Sequence, residues 1–142
     1  MNESQSVAAV FEEWCSRLSA GDVAGAEAAL ATSPETFSIG TQRMGSGREE
    51  WLGSMAQVAQ MGVNWEPRDV RAWDTGDAGF AVGEVIPVLP DGTRLPMRFT
   101  AFLVREAGEH RIFNIHFSWA VPDEIAWPQV NAWRDQLGLV AA

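Results

Sequence analysis

The stretch Leu95–Val121, LPMRFTAFLVREAGEHRIFNIHFSWAV, constrains this chain more than any other. It predicts two long strands, Leu95–Arg105 and Arg111–Val121, joined by a tight turn at Glu106-Ala107-Gly108-Glu109. Gly108 supplies the permissive backbone that a two-residue hairpin loop needs. Both strands carry large apolar residues on both faces, so neither face can lie open to water. A sheet of this kind needs helices on one side and a further cover, such as a second subunit, on the other.

Composition narrows the chemistry. The 142 residues are 46% hydrophobic and 20% charged, enough for one globular domain with a real core. The net charge of −9 excludes nucleic acid and anionic membrane as expected partners, since both reward clustered cations. No run of about 18 apolar residues predicts a membrane span. The acidic, polar start MNESQSVAAV lacks the basic opening of a signal peptide, so a cytoplasmic location is expected. All ten basic residues are arginine, which rules out lysine Schiff-base chemistry. There is no tyrosine either, so no phenol can act as acid or oxyanion donor. Seven Trp and seven Phe fit either a heavily aromatic core or a lined apolar cavity.

Taken in order, Ser4 or Ser6 caps a first helix to about Ser19, with Val7, Val10, Phe11, Trp14 and Leu18 on one buried stripe. Asp22 caps a short second helix over Val23–Leu30, and Pro34 stops it. Phe37–Gly40 reads as a short strand, then a loop through Thr41, Gln42, Arg43, Met44 and Gly45. Ser46 begins a third helix as a capping box with Glu49, its buried stripe being Trp51, Met55, Val58 and Ala59. Gly45-Ser46-Gly47 lacks the spacing of a phosphate loop and reads as a plain loop.

From Val63 the period changes to two. A strand over Val63–Trp73 carries Pro67, which implies an edge position or a bulge. Phe80–Leu89 is the next strand, and Pro90-Asp91-Gly92-Thr93 turns the chain into the opening stretch. A tail helix over about 128–138 starts with Pro128 in its first turn and ends at Gly138. The plan is α+β: N-terminal helices packed on a curved, mostly antiparallel sheet, with a short C-terminal helix. A single domain over 1–142 is expected, its core about 7–122.

This order, with Ile39-Gly40-Thr41, Gly47-Arg48-Glu49-Glu50, Pro90-Asp91-Gly92, Leu95–Thr100, Arg111-Ile112 and Ile115–Ser118, resembles the SnoaL-like members of the nuclear transport factor 2-like superfamily. The resemblance implies a cone-shaped fold with a pocket between helices and sheet. It does not imply one reaction, because members include isomerases, cyclases, dehydratases and assembly domains. The ketosteroid isomerase branch uses a tyrosine donor and a carboxylate base, and scytalone-dehydratase-like chemistry also relies on tyrosines. This chain has no tyrosine, and its early strand carries no acid, which argues against both.

Among candidate catalytic residues, Glu84 stands mid-strand among apolar neighbours, where an unpaired carboxylate is costly and its proton affinity rises. Pairing through two-residue loops at Asp91-Gly92 and Ala107-Gly108 sets Glu84 opposite Phe99 and Phe99 opposite His116. Glu84 and His116 are therefore the candidate base and partner, with Asn114 and Ser118 nearby; a single bulge would move them. The bland alternatives are a structural ion pair between Glu84 and Arg98 or another arginine, and His116 on an outer face at a dimer interface. His110 reads as exposed, and Cys15 as a small buried apolar residue. Scattered His and Cys give no metal-ligand spacing, and no cofactor is expected.

Trp14, Trp51, Met55, Trp65, Phe102, Phe117 and Trp119 are the candidate pocket residues, with Arg98 and Thr100 as polar contacts. The expected partners are a small, largely apolar organic molecule and a second copy in a homodimer. If the chain is an enzyme, cofactor-free acid–base chemistry such as isomerisation, cyclisation or hydration is expected. A non-catalytic assembly domain is the alternative from another class.

Overall fold

A computed structural model describes residues 1–40 and 47–138. After the two-residue strand β1 (Asn2–Glu3), helix α1 runs over Gln5–Ser19. Its start is local chemistry: the Ser4 hydroxyl accepts the Val7 N–H at 3.3 Å. Its burial follows the stripe, with Val7, Phe11, Trp14 and Leu18 all inside. The Asp22 carboxylate caps α2 (Val23–Ala28) by accepting the Gly25 N–H at 2.9 Å. Strand β2 (Phe37–Ile39) and helix α3 (Arg48–Gln60) follow. The expected capping residue Ser46 and the loop 41–45 lie outside the described residues; α3 begins behind Gly47 with no side-chain cap bond.

The sheet continues with β3 (Asn64–Asp74), β4 (Ala78–Val88), β5 (Met97–Glu106) and β6 (Glu109–Trp119), an antiparallel meander. The full order is β1-β3-β4-β5-β6-β2, with β2 parallel to β6 and β1 antiparallel to the far end of β3. Pro67 satisfies both readings of its position. Its stretch of β3 has no neighbour on the outer side, and a bulge follows between Arg68 and Arg71, where Asp69 turns to φ 49°.

The inner face of the sheet is read from β5: Met97, Phe99, Ala101 and Leu103 are buried, and Phe99 stacks on Phe11 of α1 at 3.6 Å between ring centres. Two glycines on the same face of β4 keep this packing close, Gly79 against α1 and Gly83 against β3 and the Phe99 ring. A Cβ on Gly79 would sit 2.9 Å from Val7 Cγ1, and one on Gly83 would meet the Arg68 carbonyl at 3.0 Å and the Phe99 ring at 3.1 Å. Burying an aromatic side chain of this kind contributes about 1.5–3 kcal/mol, so α1 and the meander form one stabilising unit.

The register differs from the expected one by a single residue at two places. The first turn is a three-residue loop, Pro90-Asp91-Gly92, closed by the Leu89 N–H on the Thr93 carbonyl at 2.8 Å, with Gly92 at φ 86°. That sets Glu84 opposite Arg98 and puts Gly83 opposite Phe99. The second turn is the expected two-residue loop, with Ala107 at φ 51° and Gly108 at φ 85° and Glu106 opposite Glu109. A bulge at Phe113 then shifts the pairing, so Phe99 faces Phe117 and Thr100 faces His116.

Two further expectations change. His110 is not exposed: its side chain is 5% accessible, with Nε2 3.5 Å from Asp74 Oδ1. The terminal helix α4 spans Asp123–Leu137, so Pro128 lies inside it rather than in its first turn. Pro128 has no N–H to offer the Glu124 carbonyl, which removes one internal bond of α4. Gly138 ends the helix at φ 64°, as the sequence predicts. No side chain of α4 is buried, and Ile125, Trp127, Val130, Trp133 and Leu137 are all exposed. Among the described residues, no helix is long and apolar enough to cross a membrane.

Candidate functional site

At the end of the sheet where β3 and β5 begin and β4 and β6 finish, the core opens into a cavity of about 320 Å³. Helix α1 contributes Trp14 and Leu18, one turn apart on its buried stripe, and α3 contributes Trp51, Met55 and Val58. The sheet closes the far side with Trp65, Pro87, Leu95, Met97 and Phe117. The polar part of the wall is small: Ser38 from β2, and Glu50 and Ser54 from α3, the Ser54 hydroxyl donating to the Glu50 carbonyl at 3.1 Å. Few polar groups in an apolar hollow of this size suit a small organic molecule.

Aromatic rings frame the cavity. Trp14 lies at the centre, 6.2 Å from the Trp51 ring, 6.0 Å from Trp65 and 6.2 Å from Phe117, while Trp65 and Phe117 stand 6.0 Å apart. These spacings belong to favourable tilted or offset ring pairs. One feature runs against stability. The indole N–H groups of Trp14 and Trp65 are both buried, and neither has an acceptor among the described residues. Leaving such a donor unsatisfied costs about 1–3 kcal/mol.

Five of the nine expected pocket residues line the cavity: Trp14, Trp51, Met55, Trp65 and Phe117. Trp119 is half-buried against the core beside it and is not part of the wall. Arg98, Thr100 and Phe102 point the other way. They alternate with the buried Met97, Phe99, Ala101 and Leu103 and are exposed on the outer face of the sheet. There Arg98 donates to the Trp119 carbonyl at 3.1 Å.

Glu84 and His116 lie on that same outer face, both exposed. The expected row Glu84–Phe99–His116 does not form; Glu84 shares a row with Arg98 and Ser118, and His116 with Val82 and Thr100. Among the described residues no hydrogen bond joins Glu84 to His116, nor does an ion pair join Glu84 to Arg98. Neither Glu84 nor His116 can reach a molecule held in the cavity, because the sheet stands between them.

Among the described wall residues that sequence reasoning did not assign to the pocket, Glu50 is the charged one. It reads as one of many solvated helix acids, yet it precedes Trp51 on α3 and is half-buried at the cavity. Its neighbour Trp51 is the only signal in the sequence that could have found it. Cys15 is fully buried on α1, and burial pushes its thiol well above the usual range, so it stays protonated and inert. Among the described residues, no three His, Cys, Asp or Glu side chains gather closely enough to hold a metal ion.

Comparison with known proteins places this geometry. No curated protein matches the sequence. Among solved structures, an NTF2-like protein of unknown function from Pseudomonas putida superposes with a TM-score of 0.73 at 16% identity, covering 87% of this chain and 94% of that one. A candidate dehydratase of the NTF2-like family from Streptomyces avermitilis gives a TM-score of 0.73 at 15% identity, covering 83% and 96%. A candidate ketosteroid isomerase from Shewanella frigidimarina gives 0.68 at 18% identity, covering 80% and 96%. These similarities establish the fold. The family model for the SnoaL-like domain matches residues 7–123, from the first turns of α1 past the end of the meander, and the chain therefore belongs to the SnoaL-like domain family.

Proposed function

We propose that this chain binds a small, largely apolar organic molecule in the cavity between α1, α3 and the sheet. The observation that carries the reading is the cavity itself: about 320 Å³ left open in an otherwise close-packed core, walled by Trp, Met and Phe side chains. Closing such a space with one larger side chain is easy for a sequence, and an empty apolar hollow costs stability. Turnover, if the ligand is a substrate, falls to Glu50 as proton acceptor, since it is the carboxylate among the described wall residues. That chemistry would be cofactor-free isomerisation, cyclisation or hydration. Native mass spectrometry of freshly purified protein tests the binding reading. A defined extra mass that disappears in a Met55→Trp variant supports it, and a wild-type protein that takes up no apolar compound from a screened panel contradicts it.

A second copy of this chain is the proposed partner on the outer sheet face. Phe80 and Phe102 are 39% and 44% exposed there, in ring contact with Trp73 and Phe113 respectively. Glu84, Arg98 and Arg71 share the face, so two copies related by a two-fold axis can oppose acid to arginine. The same surface suits the assembly reading if the cavity stays empty. Sedimentation velocity decides: a dimer that Phe102→Asp converts to monomer supports this interface, and a wild-type monomer removes it.

A further inference from the structure

Among the described residues, nothing covers the apolar face of α4. Ala126, Val130, Trp133 and Leu137 fall on one stripe of the helix, and the last three are 40%, 57% and 67% exposed. Glu124, Asn131 and Asp135 take the opposite side. A stripe of this kind standing in water marks a docking face.

The root of α4 says where that face belongs. Strand β6 finishes at the open end of the cone, where the Ala120 N–H donates to the Pro96 carbonyl at 3.1 Å. Pro96 stands between Leu95 and Met97, which both line the cavity. Only Ala120, Val121 and Pro122 separate β6 from α4, so the helix springs from the cavity rim. Two surfaces adjoin that root. On the outer face, the last row that β5 and β6 share is Arg98 and Ser118, continued by Glu84 and Arg68, all polar or charged. On the inner side the rim is apolar: Met61 is 55% exposed, and Leu89 and Leu95 are partly exposed. The apolar stripe fits the inner side.

We propose that α4 is a lid, which swings about residues 120–122 to lay Val130, Trp133 and Leu137 across the cavity mouth when a ligand is held there. The lid rests on the pocket-binding reading and deepens it. The ligand completes an apolar surface for the stripe, and the closed helix shields the ligand from water. At 1.5 Å per residue the 15-residue helix is about 22 Å long, enough to span the mouth of a hollow of about 320 Å³. The short tether holds the stripe at a local concentration on the order of millimolar, which favours the chain's own mouth over that of a second copy. None of the described wall residues comes from α4, so the structure shows the open form.

Single thiols read the closure in the full chain, because Cys15 is fully buried and stays protonated. Val130→Cys places a thiol in the stripe, and Asp135→Cys places one on the opposite side; no side chain of α4 is buried, so neither change disturbs the core. The probe ligand is N-phenyl-1-naphthylamine. At saturation, alkylation of the Val130→Cys thiol by N-ethylmaleimide is expected to slow about tenfold, while that of the Asp135→Cys thiol is unchanged. With Met61→Cys added to Val130→Cys, a short bismaleimide is expected to join both thiols within one chain, read by mass spectrometry. Trp133→Asp is expected to raise the dissociation rate of the probe several-fold. Saturable binding with unchanged reactivity of the Val130→Cys thiol overturns the lid and leaves the pocket reading standing. A linker that joins two chains instead overturns closure within the chain. Absence of saturable binding overturns the pocket reading, and the lid with it.

Discussion

The two ends of this cone are built from the same elements to opposite purposes. At one end, α1 presents Val7 and Phe11 to Gly79, Phe99 and Leu103, and the packing leaves no room even for a methyl group on Gly79. At the other, α1 presents Trp14 and Leu18, and the same sheet stands off to leave about 320 Å³. The closed end spends glycine and small residues to bring helix and strand together. The open end spends large rings that frame a space they do not fill. Close packing is thus concentrated at one end and open space at the other, a division that, on the proposed binding function, would free the open end to vary its ligand without unfolding the domain.

The sharpest break of this comparison is Phe99→Ala. It removes a buried ring stacked on Phe11 and is expected to cost about 3–5 kcal/mol in urea unfolding. Gly79→Ala should cost less, about 1–3 kcal/mol, because Val7 must shift to admit the methyl group. By contrast Met55→Trp, which fills the cavity, is expected to change stability by about 1 kcal/mol or less in either direction while abolishing ligand uptake. Equal destabilisation by Met55→Trp and Gly79→Ala would show that both ends are packed alike.

A smaller effect lies at the rim of the closed end. The Gly76 N–H, donating to Asp74 at 2.7 Å, holds the Asp74 carboxyl below the usual carboxylate range, with His110 and Arg105 adding to the effect. A depressed folded value means that this contribution is present at neutral pH and is lost as pH falls through it, below about pH 4. Asp74→Asn should therefore lower Tm at pH 7, with the gap from wild type narrowing below about pH 4. A gap that is the same at both pH values would remove Asp74 from the acid response.

Much of the fold was legible because its signals are local. Ser4 and Asp22 cap their helices as their side chains allow, the three-and-four stripe of α1 faces the core, and Pro67 marks both an edge and a bulge. The site was legible in part, through large apolar residues on those same stripes: Trp14, Trp51, Met55, Trp65 and Phe117. Register was not. Pro90-Asp91-Gly92 can be turned as a two- or three-residue loop, and nothing near Phe113 announces a bulge, yet each choice moves every side chain beyond it by one place. The two slips leave Glu84 and His116 on one face and in different rows, with the sheet between them and the cavity. Glu50 escaped because a helix acid carries no mark of burial until the neighbouring strand is placed. The start of α4 escaped because Pro128 looks like a first-turn residue, while Pro122 and the acids Asp123 and Glu124 open the helix earlier.

Binding of the apolar fluorophore N-phenyl-1-naphthylamine to wild type and to Met55→Trp tests the central claim most directly. Saturable binding at one site per chain in the wild type, lost in a Met55→Trp protein whose stability in urea stays within about 1 kcal/mol of the wild type, is the expected result. Absence of saturable binding to the wild type, or undiminished binding to the filled variant, would contradict a recognition site at the open end of the cone.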